Sequence, residues 1–201
     1  MQTTEQRLRA ITPEWGQRYV AGCLTGSTED AFGLNCAMND EQRGLACVVL
    51  LHAIPPEAYR AFLAPSWEHS HQQVIAAAPK GLDDLFSYAA FPLNHLPERL
   101  KIWRGVSGIT PDQAVKGYSW TTDRDVAAWF AMRHSDNNGS PVVVAAEVDR
   151  ENISFYSEAR GEQEVVVLRE PASWWIDGNA GDWERGYISY EAAKGNGLPC
   201  Q

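Results

Sequence analysis

A chain of 201 residues with 44% hydrophobic and 21% charged content is long enough for one substantial core, short for two independent ones, and too apolar for a disordered segment. Its formal net charge of -9 argues against a broad phosphate-tracking surface, since nucleic-acid binding needs a basic face, so a protein or small molecule is the more expected partner. Cys23, Cys36, Cys47 and Cys200 show no zinc-type spacing and read as reduced thiols. "MQTTEQRLRAITPEWG" lacks the apolar core of a signal peptide, and "LACVVLLHAI" is too short to cross a bilayer; a cytoplasmic protein without membrane contact is expected.

The first hundred residues read as helical. "TPEWGQRYVAGCL" places Thr12 as a helix cap and Pro13 at the first helical position. "NDEQRGLACVVLLHAI" carries acids in its first turn and then an apolar face, with Pro55-Pro56 as the stop. "PPEAYRAFLAPSW" and "GLDDLFSYAAFPL" predict two further short helices, each ended near a proline, with Asp83 and Asp84 as a solvated first turn. "EHSH" holds His69 and His71, but no third ligand lies at a useful spacing, so a surface loop and no metal are expected.

The texture changes near Pro97. "LKIWRGV", "KGYSWT", "SPVVVAAEV", "ENISFY", "EQEVVVL" and "PASWWID" predict short strands. One helix interrupts them, "TDRDVAAWFAMR", with Thr122 as cap, Asp125 in a capping-box position and Val126 with Phe130 as its buried stripe. Trp174, Trp175 and Trp183 are expected to pack the late strand, with "GDWERG" around Trp183 a loop, and the tail "KGNGLPCQ" is expected to be loosely ordered. The sum is one α+β domain over 1–201, with a helical part at 1–99 and a β-rich part at 100–201.

Three short motifs in the second half invite chemistry. In "IWRGV", strand alternation puts Arg104 on the face of Ile102 and Val106, where a buried guanidinium needs an anion: a phosphate, or an internal carboxylate. Gly105 beside it lets a ligand approach the backbone. In "YSWTTDRD", Ser119 and Thr121 are two apart and present two hydroxyls on one face, suited to a ribose or a carboxylate, or simply to capping a strand end. In "ARGEQEVVVL", Glu162 and Glu164 would project together if both lie in a strand; such like charges persist on a solvated rim or in a site that uses them.

Taken in order, Arg-Gly, Ser-x-Thr before a helix, and Glu-x-Glu at a later strand, residues 100–168 resemble the arginine–serine–glutamate class of mono-ADP-ribosyltransferases. The resemblance implies a split β-sandwich preceded by helices, holding NAD as co-substrate in a cleft. It further implies that Arg104 clamps the NAD phosphates and the nicotinamide-side ribose, and that Gly105 offers backbone groups to the carboxamide. Ser119 would support the ribose and align the catalytic Glu164, Thr121 would take the third place of the family's Ser-Thr-Ser motif, and Glu162 would contact the acceptor. "SWT" departs from Ser-Thr-Ser by placing Trp120 in the middle. Tyr118, Trp129 and Phe130 could stack on nicotinamide, though core packing is the more expected role.

The chemistry suits those groups, because cleaving the nicotinamide–ribose bond builds positive charge on the sugar carbon and a fixed carboxylate favours that state. The expected activity is transfer of ADP-ribose from NAD to a protein side chain, arginine favoured, on a target protein such as a toxin, effector or phage factor would modify. The alternatives are an NAD glycohydrolase using the same residues and a non-catalytic interaction module. The absence of GxGxxG and GxxxxGK[ST] disfavours dehydrogenase and P-loop readings.

Overall fold

The structure, a computed structural model, describes residues 2–196; Cys200 and the end of the tail lie outside the described residues. The chain, read from sequence as one domain, divides into two compact units, Met1–Phe91 and Pro92–Gln201. The texture change at Pro97 falls just inside the second.

The first unit is all helical: α1 (Thr4–Ile11), a 3-10 turn (Glu14–Gly16), α2 (Gln17–Leu24), α3 (Thr28–Ala37), α4 (Asp40–Leu50), α5 (Pro56–Ala77) and α6 (Leu82–Ala89). Reciprocal capping boxes, Thr3 with Gln6 and Asn39 with Gln42, start α1 and α4. Thr12 closes α1 instead of opening the next helix, its hydroxyl donating to the Leu8 carbonyl at 2.7 Å. Helix α4 ends at Leu50, ahead of the expected proline stop, and His52 then adopts a left-handed φ of 59°. Leu8, Val20, Leu34, Leu50, Phe62, Trp67 and Leu85 supply a core that six amphipathic helices enclose.

Helix α5 passes Pro65 instead of ending there, and leaves helical geometry only at Ser70 (φ -141°, ψ 31°). Polar neighbours hold that break: Ser70 donates to Asp40 Oδ1 at 2.8 Å and accepts from Arg43 Nη1 at 3.2 Å. "EHSH" therefore straddles the break in α5 and is not a surface loop, with the His71 ring 5.9 Å from that of Trp67. Among the described residues no cluster of three or more His, Cys, Asp or Glu could hold a metal ion, and no helix is long and apolar enough to cross a membrane.

The second unit contains β1 (Arg99–Ser107), α7 (Pro111–Ala114), β2 (Ser119–Thr121), α8 (Arg124–Met132), α9 (Ser135–Asn138), β3 (Pro141–Asp149), β4 (Phe155–Ser157), β5 (Glu164–Val166), β6 (Trp174–Ile176) and α10 (Ala180–Asn196). The six strands form one antiparallel sheet in the order β4-β5-β2-β1-β3-β6, so the protein is α+β. Strands β1 and β3 pair along their whole length, from Arg99↔Asp149 to Ser107↔Pro141, whereas β1 and β2 share the single register pair Trp103↔Thr121.

Helix α8 is capped by Asp123, not Thr122: Asp123 Oδ1 accepts from the amides of Asp125 at 2.8 Å and Val126 at 3.3 Å. Its buried stripe is Val126, Ala127, Ala128 and Ala131, while Phe130 is only half-buried. Small residues suit this face because α8 presses directly onto β1. "GDWERG" begins α10 and is no loop; Trp183 is 8% exposed and donates from Nε1 to the Asp177 carbonyl at 2.6 Å. Trp175 stands exposed on the edge strand instead of packing, with Lys101 Nζ 5.2 Å from its ring centroid. Residues 194–196, expected in a loose tail, complete α10.

Asp177, just after β6, joins these pieces. Its Oδ2 accepts from Arg124 Nε at 2.5 Å and Trp103 Nε1 at 3.1 Å, and Lys101 Nζ lies 3.9 Å from Oδ1. Burial pushes its carboxyl pKa upward, but the bond and charge of Arg124, helped by Trp103 and Lys101, outweigh this and hold it below the usual carboxylate value. A depressed folded pKa stabilises the fold above the unfolded pKa, and that contribution disappears as pH falls through the folded value. Asp177→Asn should therefore cost on the order of 1–2 kcal/mol at neutral pH in denaturant unfolding. The two unfolding curves should converge below about pH 4, and a gap that persists undiminished there would contradict the assignment.

Candidate functional site

Alternation along β1 sends Arg104 to the face of Ile102 and Val106, as the sequence implies, and Ile102 is fully buried there. The guanidinium turns towards β2, where Nη1 donates to the Ser119 carbonyl. Nε is shielded from solvent and has no hydrogen-bond partner among the described residues. Burial draws the Arg104 pKa below the ordinary guanidinium value, while the negative charge of Glu164 pushes it back up; the group remains a cation.

Ser119 looks the other way with its side chain. Its hydroxyl donates to Glu164 Oε1 at 2.6 Å. Register explains why these two meet: Ser119 pairs with Val166 and Thr121 with Glu164, so Ser119, Thr121 and Glu164 share one face of the β2–β5 pair. Arg104 and Glu164 thus both reach Ser119, Arg104 at its carbonyl and Glu164 at its hydroxyl, from the two strands that flank β2.

Thr121 lies on the same face as Ser119, but its buried hydroxyl serves the backbone. It donates to the Glu162 carbonyl at 2.6 Å and accepts from the Asp123 amide at 3.0 Å. Glu162 itself is not in a strand. It ends a 3-10 turn (Ala159–Gly161), and Gln163 takes a left-handed φ of 46° before β5 starts at Glu164. The alternation expected to aim both acids together therefore breaks at Gln163. The strained residue is held by Thr122, whose amide donates to the Gln163 carbonyl at 3.2 Å and whose hydroxyl donates to Gln163 Oε1 at 2.6 Å.

Gly105 has a reason different from the expected one. A Cβ at this position would overlap the Ala127 carbonyl oxygen and sit 2.9 Å from the Ala131 nitrogen. The close approach it permits is that of helix α8, not of a ligand. Trp129 packs with α10, where its Nε1 donates to Glu191, and its ring lies between Arg133, 4.4 Å from the centroid, and Lys194 at 4.2 Å. Tyr118 contributes its carbonyl, which accepts from the Val167 amide at 2.9 Å.

Two residues beside Arg104 escaped the sequence reading. Gly117 lies flat against the guanidinium: a Cβ there would overlap Cζ, Nη2 and Nε. The Gly117 carbonyl accepts from Trp120 Nε1 at 2.9 Å. The available signal was a glycine two residues ahead of a short strand with a tryptophan three residues on, which sequence pattern alone assigns to a turn and a core side chain.

The arrangement can hold an anion at a buried cationic fork and, beside it, present a carboxylate whose direction a hydroxyl fixes. No family model, curated protein or solved structure matches the chain. Thr121→Val keeps shape and deletes both hydroxyl bonds, leaving the Glu162 carbonyl and Asp123 amide to find other partners. The expected cost is about 1–3 kcal/mol, with faster amide exchange over residues 161–164. Unchanged exchange would mean that Thr122 alone holds the turn.

Proposed function

We propose that the chain is an NAD-dependent mono-ADP-ribosyltransferase. The observation that carries the reading is that Arg104 and Glu164 both meet Ser119, with Ser119 Oγ 2.6 Å from Glu164 Oε1, while the buried Arg104 Nε has no partner among the described residues. A donor shielded from water and left unpaired favours a ligand that brings an acceptor, and a pyrophosphate brings several. An arginine fork matches that geometry better than a lysine would.

In this reading Arg104 binds the NAD phosphates and the adjoining ribose. Ser119 orients Glu164 through the hydroxyl bond. As the bond between the ribose anomeric carbon and the nicotinamide nitrogen breaks, its electron pair leaves with nicotinamide, which departs neutral. Positive charge then spreads over the anomeric carbon and ring oxygen, and the ionised Glu164 stabilises that charge more than it stabilises the neutral sugar. The acceptor nitrogen supplies the electron pair for the new bond and passes a proton to Glu162, which also orients the incoming guanidinium. Thr121 acts indirectly, by fixing the Glu162 main chain.

Glu164→Gln keeps the hydrogen-bonding shape and removes the charge. With labelled NAD it should lower nicotinamide release by about 100- to 1000-fold, equivalent to ~2.7–4 kcal/mol of lost stabilisation. NAD affinity should stay within about threefold, because the lost interaction belongs to the transition state. Counting label on protein against free ADP-ribose in the same assay separates transfer from hydrolysis. Undiminished turnover in the variant would defeat the reading.

A further inference from the structure

Trp120 occupies the middle of the serine–threonine segment, where it looks like a mere departure from the motif. Its ring is 3% exposed and its indole N–H needs an acceptor inside the protein. It finds the Gly117 carbonyl at 2.9 Å, which closes the short turn leading into β2. The amide of Gly117 is tied as well, donating to the Ala114 carbonyl at 3.1 Å. Gly117 is thereby fixed at both its amide and its carbonyl.

The guanidinium of Arg104 rests on that fixed point. Only hydrogen can occupy the Cβ direction of Gly117, because a methyl group would overlap Cζ, Nη2 and Nε. No positive φ requires glycine at this position; the requirement comes from the arginine. With Gly117 against the guanidinium and the Ser119 carbonyl taking Nη1, the fork is held from two sides, and Nε is left without an acceptor among the described residues.

We infer that Gly117 and Trp120 are positioning residues, which hold the Arg104 fork so that Nε is presented to the anionic part of the ligand. The ligand in this statement rests on the NAD reading above; the positioning itself does not. Trp120 acts through Gly117, and Gly117 through Arg104; neither is placed in contact with the substrate.

The test separates the two claims. Nitrogen-15 spectra should show a slowly exchanging arginine Nε–H resonance that vanishes in Arg104→Lys. In Trp120→Phe, which keeps a ring and loses the donor, and in Gly117→Ala, this resonance should shift and exchange faster. NAD affinity should fall about 10- to 100-fold while turnover at saturating NAD stays within about threefold, a split that general loosening of the fold does not produce. Gly117→Ala is also made in the Arg104→Lys background, where the crowded atoms are gone, and its loss of melting temperature should shrink there. A variant that folds only in that background supports the inference, whereas equal losses in both, or failure to fold in both, overturn it. An unshifted resonance with unchanged exchange in a folded variant overturns it too. If the wild-type resonance behaves as stated but does not respond to NAD, the ligand reading fails and the positioning stands.

Discussion

A guanidinium withdrawn from water beside a carboxylate is the constraint on which the second unit turns. Burying Arg104 is costly because its charge loses hydration, and the protein offsets that cost with the Ser119 carbonyl and the charge of Glu164. The offset is incomplete, since Nε is left without an acceptor among the described residues. A buried cation with a full set of protein partners would be a structural ion pair. One with a shielded donor to spare is the observation on which the proposed anion site rests.

Strand β2 makes this possible although it is only three residues long. Ser119 faces both neighbouring strands, accepting from β1 through its carbonyl and donating to β5 through its hydroxyl. Thr121 repeats the device one pleat further on, joining the turn before β5 to the start of α8. Such a short strand could not impose order by itself. It borrows rigidity from β1, which is paired with β3 along nine residues and covered by α8 at the closest approach that Gly105 allows. Helix α8 is in turn fixed through Arg124 to Asp177 and by α10 packing against it.

Much of this was legible in the chain. The α+β class, the strand texture after Pro97 and the order Arg104, Ser119, Glu164 all follow from local pattern, because alternation and β-branched runs are local properties. Misreadings occurred where one residue type serves two contexts. Thr12 and Thr122 are both good caps, yet Thr12 closes a helix and Thr122 braces Gln163, with Asp123 supplying the cap. Pro65 reads as a stop, but helix α5 carries it and breaks at Ser70, where the hydroxyl finds Asp40 and Arg43 from a distant helix. "GDWERG" has the composition of a loop, and becomes helical where Trp183 is buried against the Asp177 carbonyl. Gly105 was visible as special while its neighbour, α8, was not. Gly117 and Trp120 were invisible because their importance lies in an atom-scale contact with a residue on another strand.

The two acids of "GEQEV" show how far pattern carries a site and where geometry takes over. Spacing suggests a matched pair, but the protein holds them by different means. Glu164 is gripped at its carboxylate by the Ser119 hydroxyl, so the direction of its charge is fixed before any ligand arrives. Glu162 is gripped at its main-chain carbonyl by Thr121, and a left-handed residue separates it from the strand. Main-chain anchoring sets where a side chain starts and leaves its rotamers to local contacts. A charge that must meet a cation forming at one carbon benefits from the first arrangement, since preorganisation is what gives a fixed carboxylate its effect. The left-handed backbone at Gln163 is the point where strand alternation stops, so one short segment holds its two acids in different ways.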